Sequence, residues 1–465
     1  MIPTLYGILI LLIGALVGAR GVVYLAVIAT LFGGTAAAYV LGLGAATITP
    51  AVLALVFLAW HVARREALGG FFSPMSFLTP GFWLLVLTVW GVIAALALPR
   101  LFEGQFLVYS FDRLTDSANA LRPLRPVSMN LTQAMYACLG LVTFVVMLVT
   151  VRREGGMQRF ARAVLWVAGL NVIAASLDLA EHHLGMFPLL SYLKNANYAM
   201  LGGEVAGLKR IAGTFPETSV FAMYTLALLA FTHTLWMYGI HKNWARALSI
   251  ANLGFLMIST AGTAYVGFAI CLIVALAVSA WRFLHLGQLG PYRLYVWMAL
   301  GSGILGLAVV LFVPGAWSSV SEYFNIVVGS KLDSSSGQVR MGYNAQALQT
   351  FVDTMGIGAG LGSVRASSFV LVVLSNLGWM GALFLTLFLI PVLWGRWPQS
   401  VQQEEAIIAQ AGRRGVFATL VGAAVSAGVY DLGLLFYMFA AVAAAPLALS
   451  RSARGAPFAP RMLAY

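Results

Sequence analysis

The sequence predicts an all-α, polytopic integral membrane protein with about 12–13 transmembrane helices. Of its 465 residues, 61% are hydrophobic and only 9% are charged, and the mean hydropathy is +0.90. Soluble proteins carry about 25% charged residues. In addition, apolar runs recur along the whole chain at about the twenty-residue length that a helix needs to cross the hydrocarbon core. The composition therefore excludes an ordinary soluble protein.

The apolar runs follow one another through a single transmembrane domain that covers residues 1–465. The first run lacks a basic region and a small-x-small cleavage site, so it is expected to be a retained span rather than a signal peptide. The expected spans are Ile2–Val17, Val22–Leu43, Ile48–Val62, Phe82–Leu98, Leu131–Val151, Ala161–Ala180, Ser219–Ile240, Ala247–Gly262, Thr263–Ala280, Tyr295–Val313, Phe369–Leu393, Phe417–Val429 and Leu432–Leu449.

Lys and Arg residues give the chain a net charge of +12, and their placement predicts its orientation. One set of connections and the tail 450–465 are rich in cations and are expected to be cytoplasmic. The opposite, extracytoplasmic side receives three long loops, Pro99–Asn130, Glu181–Thr218 and Pro314–Ser368. These loops also carry cations, although translocated loops usually carry few. They are Arg100, Arg113, Arg122, Arg125, Lys194, Lys209, Arg210, Lys331, Arg340 and Arg365.

The last of these loops is large and polar, and it is expected to contain short helices. Apolar residues at helical spacing predict a helix that begins at Arg340 and stops at Gly356. This helix is expected to lie on the membrane surface or to cap a cavity. The glycines that follow, in GIGAGLGS, do not form a P-loop because no GK[ST] comes after them. They are expected to let the backbone turn tightly.

Two explanations compete for the loop cations. One is that their side chains reach lipid headgroups at the interface, and the other is that they bind an anionic ligand. For Arg210 and Arg340 the setting favours binding. Arg210 lies in LKRIAGTFPETSVFA, where Gly and Pro interrupt the chain just before a span, and Thr214 and Glu217 are expected to cap the helix that follows.

Other polar residues have alternative explanations that the sequence leaves open. The run from Asp178 to His183, D-x-x-E-H-H, is compatible with a metal site or with hydrogen bonds at the interface. Stacking on sugar faces is one explanation for five loop aromatics, and the enrichment of aromatic residues at membrane interfaces is the other, which we prefer for most of them. They are Tyr192, Trp317, Tyr323, Phe324 and Tyr343. Cys138 and Cys271 lie in apolar runs and predict neither a disulfide framework nor a metal motif. No metal or cofactor is expected.

Several motifs occur in order between Gly202 and Leu393: RIAGTFPETSVFA, ISTAGTAYVGFAI, R-x-x-x-N-x-x-A-L-x-x-F followed by GIGAGLGS, and VLSNLGWMGALFL. This order resembles the superfamily of O-antigen ligases and Wzy-type polysaccharide polymerases. The resemblance implies a GT-C-like, metal-independent glycosyltransferase of the bacterial inner membrane whose active site faces the periplasm. Its implied partners are undecaprenyl-diphosphate-linked glycans as donor and acceptor, membrane lipid, and a chain-length regulator or export complex. No nucleic acid is implied.

The resemblance also implies roles for individual residues. The arginines that are essential in the outer loops of this superfamily correspond to Arg210 and Arg340. Ligases usually place His-Asn at the start of the helix after the glycines, where this chain has Ser367 and Ser368. The resemblance therefore favours a polymerase of exopolysaccharide or O-antigen repeat units over a ligase that transfers glycan to lipid A core.

The chemistry of such a transfer agrees with the residue types. Displacing a diphosphate from an anomeric carbon requires fixed cations, and the planar guanidinium binds phosphate oxygens through two parallel hydrogen bonds. Our hypothesis is that Arg210 and Arg340 hold the diphosphate and that Lys209 or Lys331 assists. The acceptor hydroxyl attacks with inversion. Tyr343, Asn344, Arg365 and Asp431 complete the predicted substrate-binding set.

The general base is not determined by the sequence. Glu217, Glu204 and Asp431 are candidates, but for Glu217 and Asp431 capping of the following helix is slightly favoured over catalysis. Two alternatives from other classes are a flippase for the same lipid-linked sugars and a scaffold subunit of an export complex. The flippase is disfavoured because the chain shows no internal repeat.

Overall fold

The computed structural model describes residues 2–40, 46–66, 68–110, 120–198, 204–205, 208–287, 318, 335–398 and 400–455. The chain is mostly helical, at 72%. Among the described residues, six helices are long and apolar enough to cross a membrane, and three shorter apolar helices accompany them. The prediction of a mostly helical membrane protein is thereby confirmed.

The helices are, in chain order, α1 Leu5–Leu16, α2 Gly21–Ala29, α3 Pro50–Ala63, α4 Leu68–Phe72, α5 Pro80–Leu101, α6 Ser128–Val151, α7 Gly156–Leu184, α8 Leu189–Leu193, α9 Thr218–Met237, α10 Lys242–Ile258, α11 Gly262–Leu286, α12 Ser335–Asp353, α13 Phe369–Trp394, α14 Gln403–Ser426 and α15 Leu434–Gly455. Proline in the first turn favours the start of α3 and α5, because proline lacks the N–H that a helix start leaves unpaired.

Seven strands of two or three residues accompany the described helices. They are β1 Ile2–Pro3, β2 Ala38–Val40, β3 Ala46–Ile48, β4 Leu107–Tyr109, β5 Leu121–Pro123, β6 Glu204–Val205 and β7 Leu208–Lys209. The first three form one antiparallel sheet in sequence order, and the other four form two hairpins. All seven lie at the same end of the helix bundle, which we call the strand end.

Aromatic rings and small residues hold the bundle together. Phe231 of α9 and Phe439 of α15 stack with ring centroids 5.2 Å apart, and Phe160 of α7 packs edge-on against both, with ring centroids 6.0 and 6.1 Å away. Gly415 of α14 lies directly against the Phe439 ring, where a side chain on Gly415 would overlap it. Small residues of this kind let membrane helices approach closely. The outer faces carry exposed apolar side chains such as Ile273, 64% exposed, as expected for contact with lipid.

The structure corrects the predicted span Val22–Leu43. Helix α2 ends at Ala29, and the chain then turns and forms β2 at the strand end. The turn is fixed because the Gly34 N–H donates to the Thr214 carbonyl at 2.9 Å and the Thr35 hydroxyl donates to the Leu193 carbonyl at 2.6 Å.

Other predicted boundaries differ less. The helix predicted from Arg340 to Gly356 is α12, which begins five residues earlier and ends at Asp353. The predicted span Phe417–Val429 is the second half of α14. The predicted span Tyr295–Val313 lies outside the described residues, so the count of about thirteen spans stays a prediction.

Candidate functional site

Asp178 organises the segment that carries Lys209 and Arg210. Its carboxylate lies near the strand end of α7 and is 3% exposed. Oδ2 accepts hydrogen bonds from the backbone N–H groups of Ala212, at 2.7 Å, and Gly213, at 2.8 Å. Oδ1 forms an ion pair with Lys209 Nζ at 3.6 Å. The sequence left the run from Asp178 to His183 open between a metal site and interfacial hydrogen bonding. In the structure, Asp178 of this run anchors a loop.

Lys194 lies beside this carboxylate and is 8% exposed. It follows α8, and its backbone N–H donates to the Leu190 carbonyl at 2.9 Å. Burial lowers the pKa of the Lys194 ammonium; the Asp178 and Glu181 carboxylates partly oppose this shift, and the Lys209 charge adds to it. The Lys194 residue is therefore mostly buried, and the charges of Asp178, Lys209 and Glu181 act on its ammonium.

Arg210 follows strand β7 directly and is half-buried. Its Nε is buried and has no hydrogen-bond partner among the described residues. Two other arginines in the described chain also have an unpartnered Nε, but each donates through a terminal nitrogen. Arg152 donates to the Ser73 hydroxyl at 3.4 Å, and Arg413 donates to the Gly395 carbonyl. No such bond is formed by Arg210 within the described ranges, so its guanidinium is available for an acceptor.

The expected helix caps before α9 are only partly present. Thr214 does not cap the helix, because its hydroxyl donates to the Leu31 carbonyl at 2.6 Å. Glu217 occupies the N-cap position, but its side chain makes no capping hydrogen bond to the helix backbone. Its carboxylate accepts a hydrogen bond from the Ser219 hydroxyl instead. Glu217 thus remains a candidate base near Arg210 in sequence.

Asp431 lies in the connection between α14 and α15. Oδ1 accepts a hydrogen bond from the Gly433 N–H at 2.9 Å, which forms a turn just before α15. Burial raises the pKa of the Asp431 carboxyl, and the bond from Gly433 opposes that shift. The neighbouring Tyr430 ring lies 6.2 Å from that of Phe369. Asp431 therefore belongs to the strand end, close to the start of α13.

A second group of predicted residues meets around Tyr343 of α12. The Tyr343 side chain is 5% exposed and packs edge-on against Tyr109, with centroids 4.9 Å apart. The Arg365 guanidinium lies 4.8 Å from the Tyr343 ring centroid, and the Arg365 N–H donates to the Tyr109 carbonyl at 2.9 Å. Two predicted substrate-binding residues thus contact each other, and hairpin β4–β5 supports them.

Arg340 lies one helical turn before Tyr343. Its side chain is half-buried, and no hydrogen bond or ion pair joins it to another residue in the described ranges. The contacts of Asn344 differ from those predicted for a substrate-binding residue. Its Oδ1 accepts a hydrogen bond from the Ser367 N–H at 2.7 Å, so it anchors the loop before α13. Its amide oxygen is already engaged and is less suited to bind a sugar.

The glycines after α12 pack into a break in α13. Gly378 has non-helical dihedrals, φ 67° and ψ −165°, so the carbonyls before it are free of their helical partners. Ala359 N–H donates to the Ser375 carbonyl at 2.8 Å, and Gly360 N–H donates to the Asn376 carbonyl at 3.0 Å. Trp90 Nε1–H donates to the Leu377 carbonyl at 2.9 Å. We call this part of the structure the helix break.

The structure brings the predicted residues together in two groups. Lys209 joins Asp178 in one, and Tyr343 joins Arg365 in the other. No contact between described residues links Arg210 to Arg340. Lys331 and the aromatic residues Trp317, Tyr323 and Phe324 lie outside the described residues, as does the side chain of Glu204.

Sequence reasoning missed Asp178 as an anchor, Lys194 as a buried cation and Tyr109 as the support for Tyr343. A signal existed for Asp178, because an acid inside an apolar helix usually has a specific partner. No local signal distinguishes Lys194 from the other loop cations. The described residues hold no group of three or more His, Cys, Asp or Glu that could bind a metal ion. No protein-family model matches the sequence, and no curated protein matches it either.

Proposed function

We propose that this chain is a membrane glycosyltransferase that polymerises oligosaccharide repeat units carried on undecaprenyl diphosphate into exopolysaccharide or O-antigen. The reaction takes place at the strand end, on the periplasmic face of the bacterial inner membrane. The observation that carries the proposal is the buried guanidinium Nε of Arg210, which lacks a hydrogen-bond partner among the described residues. An unpaired buried donor costs free energy, and a phosphate oxygen would satisfy it.

The cations of the strand end supply the transition-state stabilisation. Arg210 and Arg340 bind the diphosphate of the donor, and both side chains are free of hydrogen bonds to other described residues. Lys209 contributes less than an isolated lysine would, because Asp178 already balances part of its charge. Fixed cations in a site that excludes water stabilise the negative charge that develops on the leaving diphosphate.

The transfer proceeds as one displacement. The acceptor hydroxyl oxygen attacks the anomeric carbon, the bond between that carbon and the phosphate oxygen breaks, and undecaprenyl diphosphate leaves with the bonding electrons. The hydroxyl proton passes to a carboxylate, for which Glu217 is our first candidate and Asp431 the second. The Glu217 carboxylate accepts a hydrogen bond from the Ser219 hydroxyl, so one of its oxygens already has a donor.

A flippase for the same lipid-linked sugars has one observation in its favour, because transporters often contain helices that are broken in the membrane. Here the chain itself fills the helix break. The freed carbonyls of Ser375, Asn376 and Leu377 all accept hydrogen bonds from protein donors. Because each carbonyl already has a protein donor, the break is less suited to coordinate a coupling ion, and the glycosyltransferase is preferred.

The test uses purified protein in nanodiscs, undecaprenyl-diphosphate-linked repeat units and a chelator, with the products resolved as a mass ladder. We expect wild type to form a ladder, and Arg210→Ala and Arg340→Ala to reduce its rate by about 10²–10³. Arg100→Ala is the matched control, since Arg100 is an exposed cation at the same end of the bundle. Normal ladders from the Arg210 and Arg340 variants would refute their roles. Transbilayer movement of the lipid-linked sugar without a ladder would establish the flippase.

A further inference from the structure

We propose that helices α1 to α3 form a surface that binds a locally thinned lipid bilayer, in which the phosphates of the two leaflets lie closer together than around the rest of the protein. We call this surface the thin flank. The partner that it fits is membrane phospholipid, and the inference is independent of the proposed glycosyltransferase activity.

The helices of the thin flank are too short for a bilayer of ordinary thickness. Helix α1 has 12 residues and α3 has 14, which correspond to lengths of about 18 and about 21 Å. The hydrocarbon core of a typical bilayer measures about 30 Å. Tilt only shortens the distance that a helix crosses, so it does not make up the difference. By comparison, α11 has 25 residues, or about 38 Å, and is long enough.

An edge strand marks one boundary of the thin flank. Helix α1 follows β1 closely, and β1 is an edge strand of its sheet with both residues exposed. The Thr4 N–H, between β1 and α1, donates to the Ala37 carbonyl at 3.0 Å, so the start of α1 is fixed at the strand end. Open sheet edges do not face the hydrocarbon region, because their backbone N–H and C=O groups would lack partners there. The edge at β1 therefore lies at the level of the lipid headgroups.

Arginine and tryptophan side chains mark the other boundary. Arg20 lies in the turn between α1 and α2, is exposed, and forms no hydrogen bond or ion pair within the described part of the chain. At the end of α3, the Arg64 guanidinium lies 4.4 Å from the ring centroid of Trp60, which is 54% exposed. A lipid-exposed arginine is strongly unfavourable at the centre of a bilayer, whereas arginine and tryptophan are common at its interfaces. These residues therefore lie near the headgroups of the opposite leaflet.

Packing contacts keep the two boundaries close together. A Cβ on Gly14 would overlap the Phe57 ring, so the last turn of α1 packs directly against α3 within two turns of its end. The Arg153 guanidinium donates to Glu66 at 2.8 Å, which brings the end of α3 close to the end of α6. Helix α6 has 24 residues and α3 has 14, a difference of about 15 Å in length. The surface at the strand end is therefore stepped, and α3 begins lower than α6.

The alternative is that the α1–α2 hairpin dips into a bilayer of ordinary thickness. The turn after α1 would then lie about 18 Å below the headgroups at β1, close to the bilayer centre. Arg20 would be exposed to hydrocarbon in that arrangement, whereas thinning brings lipid phosphates to its guanidinium. Because a bilayer accommodates hydrophobic mismatch at a modest cost for each ångström, the lipid adapts to the short helices.

The depth of α1 is measured by fluorescence quenching on the full-length protein in nanodiscs of phosphatidylcholine. Cys138 and Cys271 are replaced with alanine, and Leu16→Cys carries a bimane label at the end of α1, where Leu16 is 85% exposed. The lipids carry nitroxides either near the headgroup or near the end of the acyl chain. We expect the nitroxide near the headgroup to quench more strongly, because the label should lie about 9 Å from the bilayer midplane, half the length of α1.

Ile273→Cys is the matched control, since Ile273 is 64% exposed in the middle of α11. Its label should be quenched most by the nitroxide at the end of the acyl chain. The same preference for the Leu16→Cys label would overturn the inference, because it would place the turn after α1 near the midplane of an unthinned bilayer. Adding Arg20→Leu should shift the Leu16→Cys label by several ångströms toward the midplane, and Arg20→Lys should leave it in place. An unchanged depth with Arg20→Leu would refute the role of Arg20 as a boundary.

Discussion

The strand end contains two buried polar regions, and they differ in how completely their groups are paired. At the helix break, Asn376 Oδ1 accepts hydrogen bonds from the N–H groups of Ser363 and Val364, both at 3.0 Å, and its Nδ2 donates to the Val364 carbonyl. Asn130 Nδ2 donates to the Ser363 hydroxyl at 2.8 Å. Around Arg210, by contrast, the buried guanidinium Nε has no hydrogen-bond partner among the described residues.

The difference separates a region that specifies the fold from one that is available to a ligand. A buried polar network whose donors and acceptors are all used adds rigidity and offers nothing to a substrate. A buried cationic side chain with an unpaired donor lowers stability and is a candidate for binding a ligand. We therefore assign the helix break to the architecture and Arg210 to the proposed substrate site.

The largest effect is expected from a substitution at the helix break, whose polar groups are paired. In Gly378→Ala the new Cβ would overlap the carbonyl oxygens of Gly356 and Ile357, and the dihedrals of this residue are accessible essentially to glycine alone. We expect a loss of at least about 4 kcal/mol of stability. Thermal unfolding and the monodisperse fraction after detergent extraction measure it.

The control for this substitution is Gly254→Ala in the middle of α10. A Cβ at Gly254 meets no atom within 4 Å, and alanine is favoured over glycine inside a helix by about 1 kcal/mol. Gly254→Ala should therefore be neutral or stabilising. Comparable stability of the two variants would show that the glycine at the helix break is not required by its geometry.

Much of the helix break could not be predicted from the sequence. The glycines in GIGAGLGS were expected to form tight turns, and Gly356, Gly358, Gly360 and Gly362 do have positive φ. That these glycines pack against a break in α13 could not be predicted, because VLSNLGWMGALFL has the composition of one continuous span. The hydrogen bond from the Gly360 N–H to the Asn376 carbonyl depends on how two segments approach each other in three dimensions. The periodicity of the sequence does not predict it.

The candidate site was predictable in its residue types and less so in its contacts. Cations in loops that should carry few drew attention to Arg210 and Arg365, and the helical spacing placed Arg340 and Tyr343 on one helix. That Asp178 would hold the Arg210 loop depends on the strand end of α7 meeting β7 across a long stretch of chain. Local sequence carries no information about such a meeting.

A smaller effect is expected from Asp178→Asn, at the residue that anchors the loop after Arg210. The amide offers one oxygen to the N–H groups of Ala212 and Gly213, and it no longer balances Lys209. We expect a loss of about 2–4 kcal/mol in stability and slower ladder formation, because the loop that positions Arg210 is loosened. Chemical unfolding and the polymer assay on the same preparation test both parts.

Glu103→Gln provides the control for Asp178→Asn, since Glu103 is an exposed acid at the same end of the bundle. It should change stability by no more than about 0.5 kcal/mol. Equal effects of the two substitutions would mean that the carboxylate of Asp178 acts only through the net charge of the strand end. The distinction sharpens the comparison, because the Asp178 carboxylate already has partners whereas Arg210 Nε, beside the loop that Asp178 anchors, has none among the described residues.

The smallest expected effect is the pH dependence of stability that Lys194 introduces. Burial lowers the pKa of the Lys194 ammonium in the folded protein; the Asp178 and Glu181 carboxylates oppose this shift, and the Lys209 charge adds to it. In the unfolded chain the pKa of lysine is about 10.4. Between these two values the unfolded state binds more protons, so the stability of the folded state rises with pH.

The stability of wild type should therefore rise relative to that of Lys194→Met as the pH increases from neutral toward the pKa of about 10.4 of an unfolded lysine, because deprotonation removes the same charge that methionine removes. The difference in Tm between the two proteins should change over this range, whereas the difference between wild type and Lys242→Met, a control at an exposed lysine of α10, should stay constant. A constant difference for Lys194→Met would mean that the Lys194 ammonium keeps an ordinary pKa. In that case the contrast with the fully paired helix break would rest on Arg210 alone.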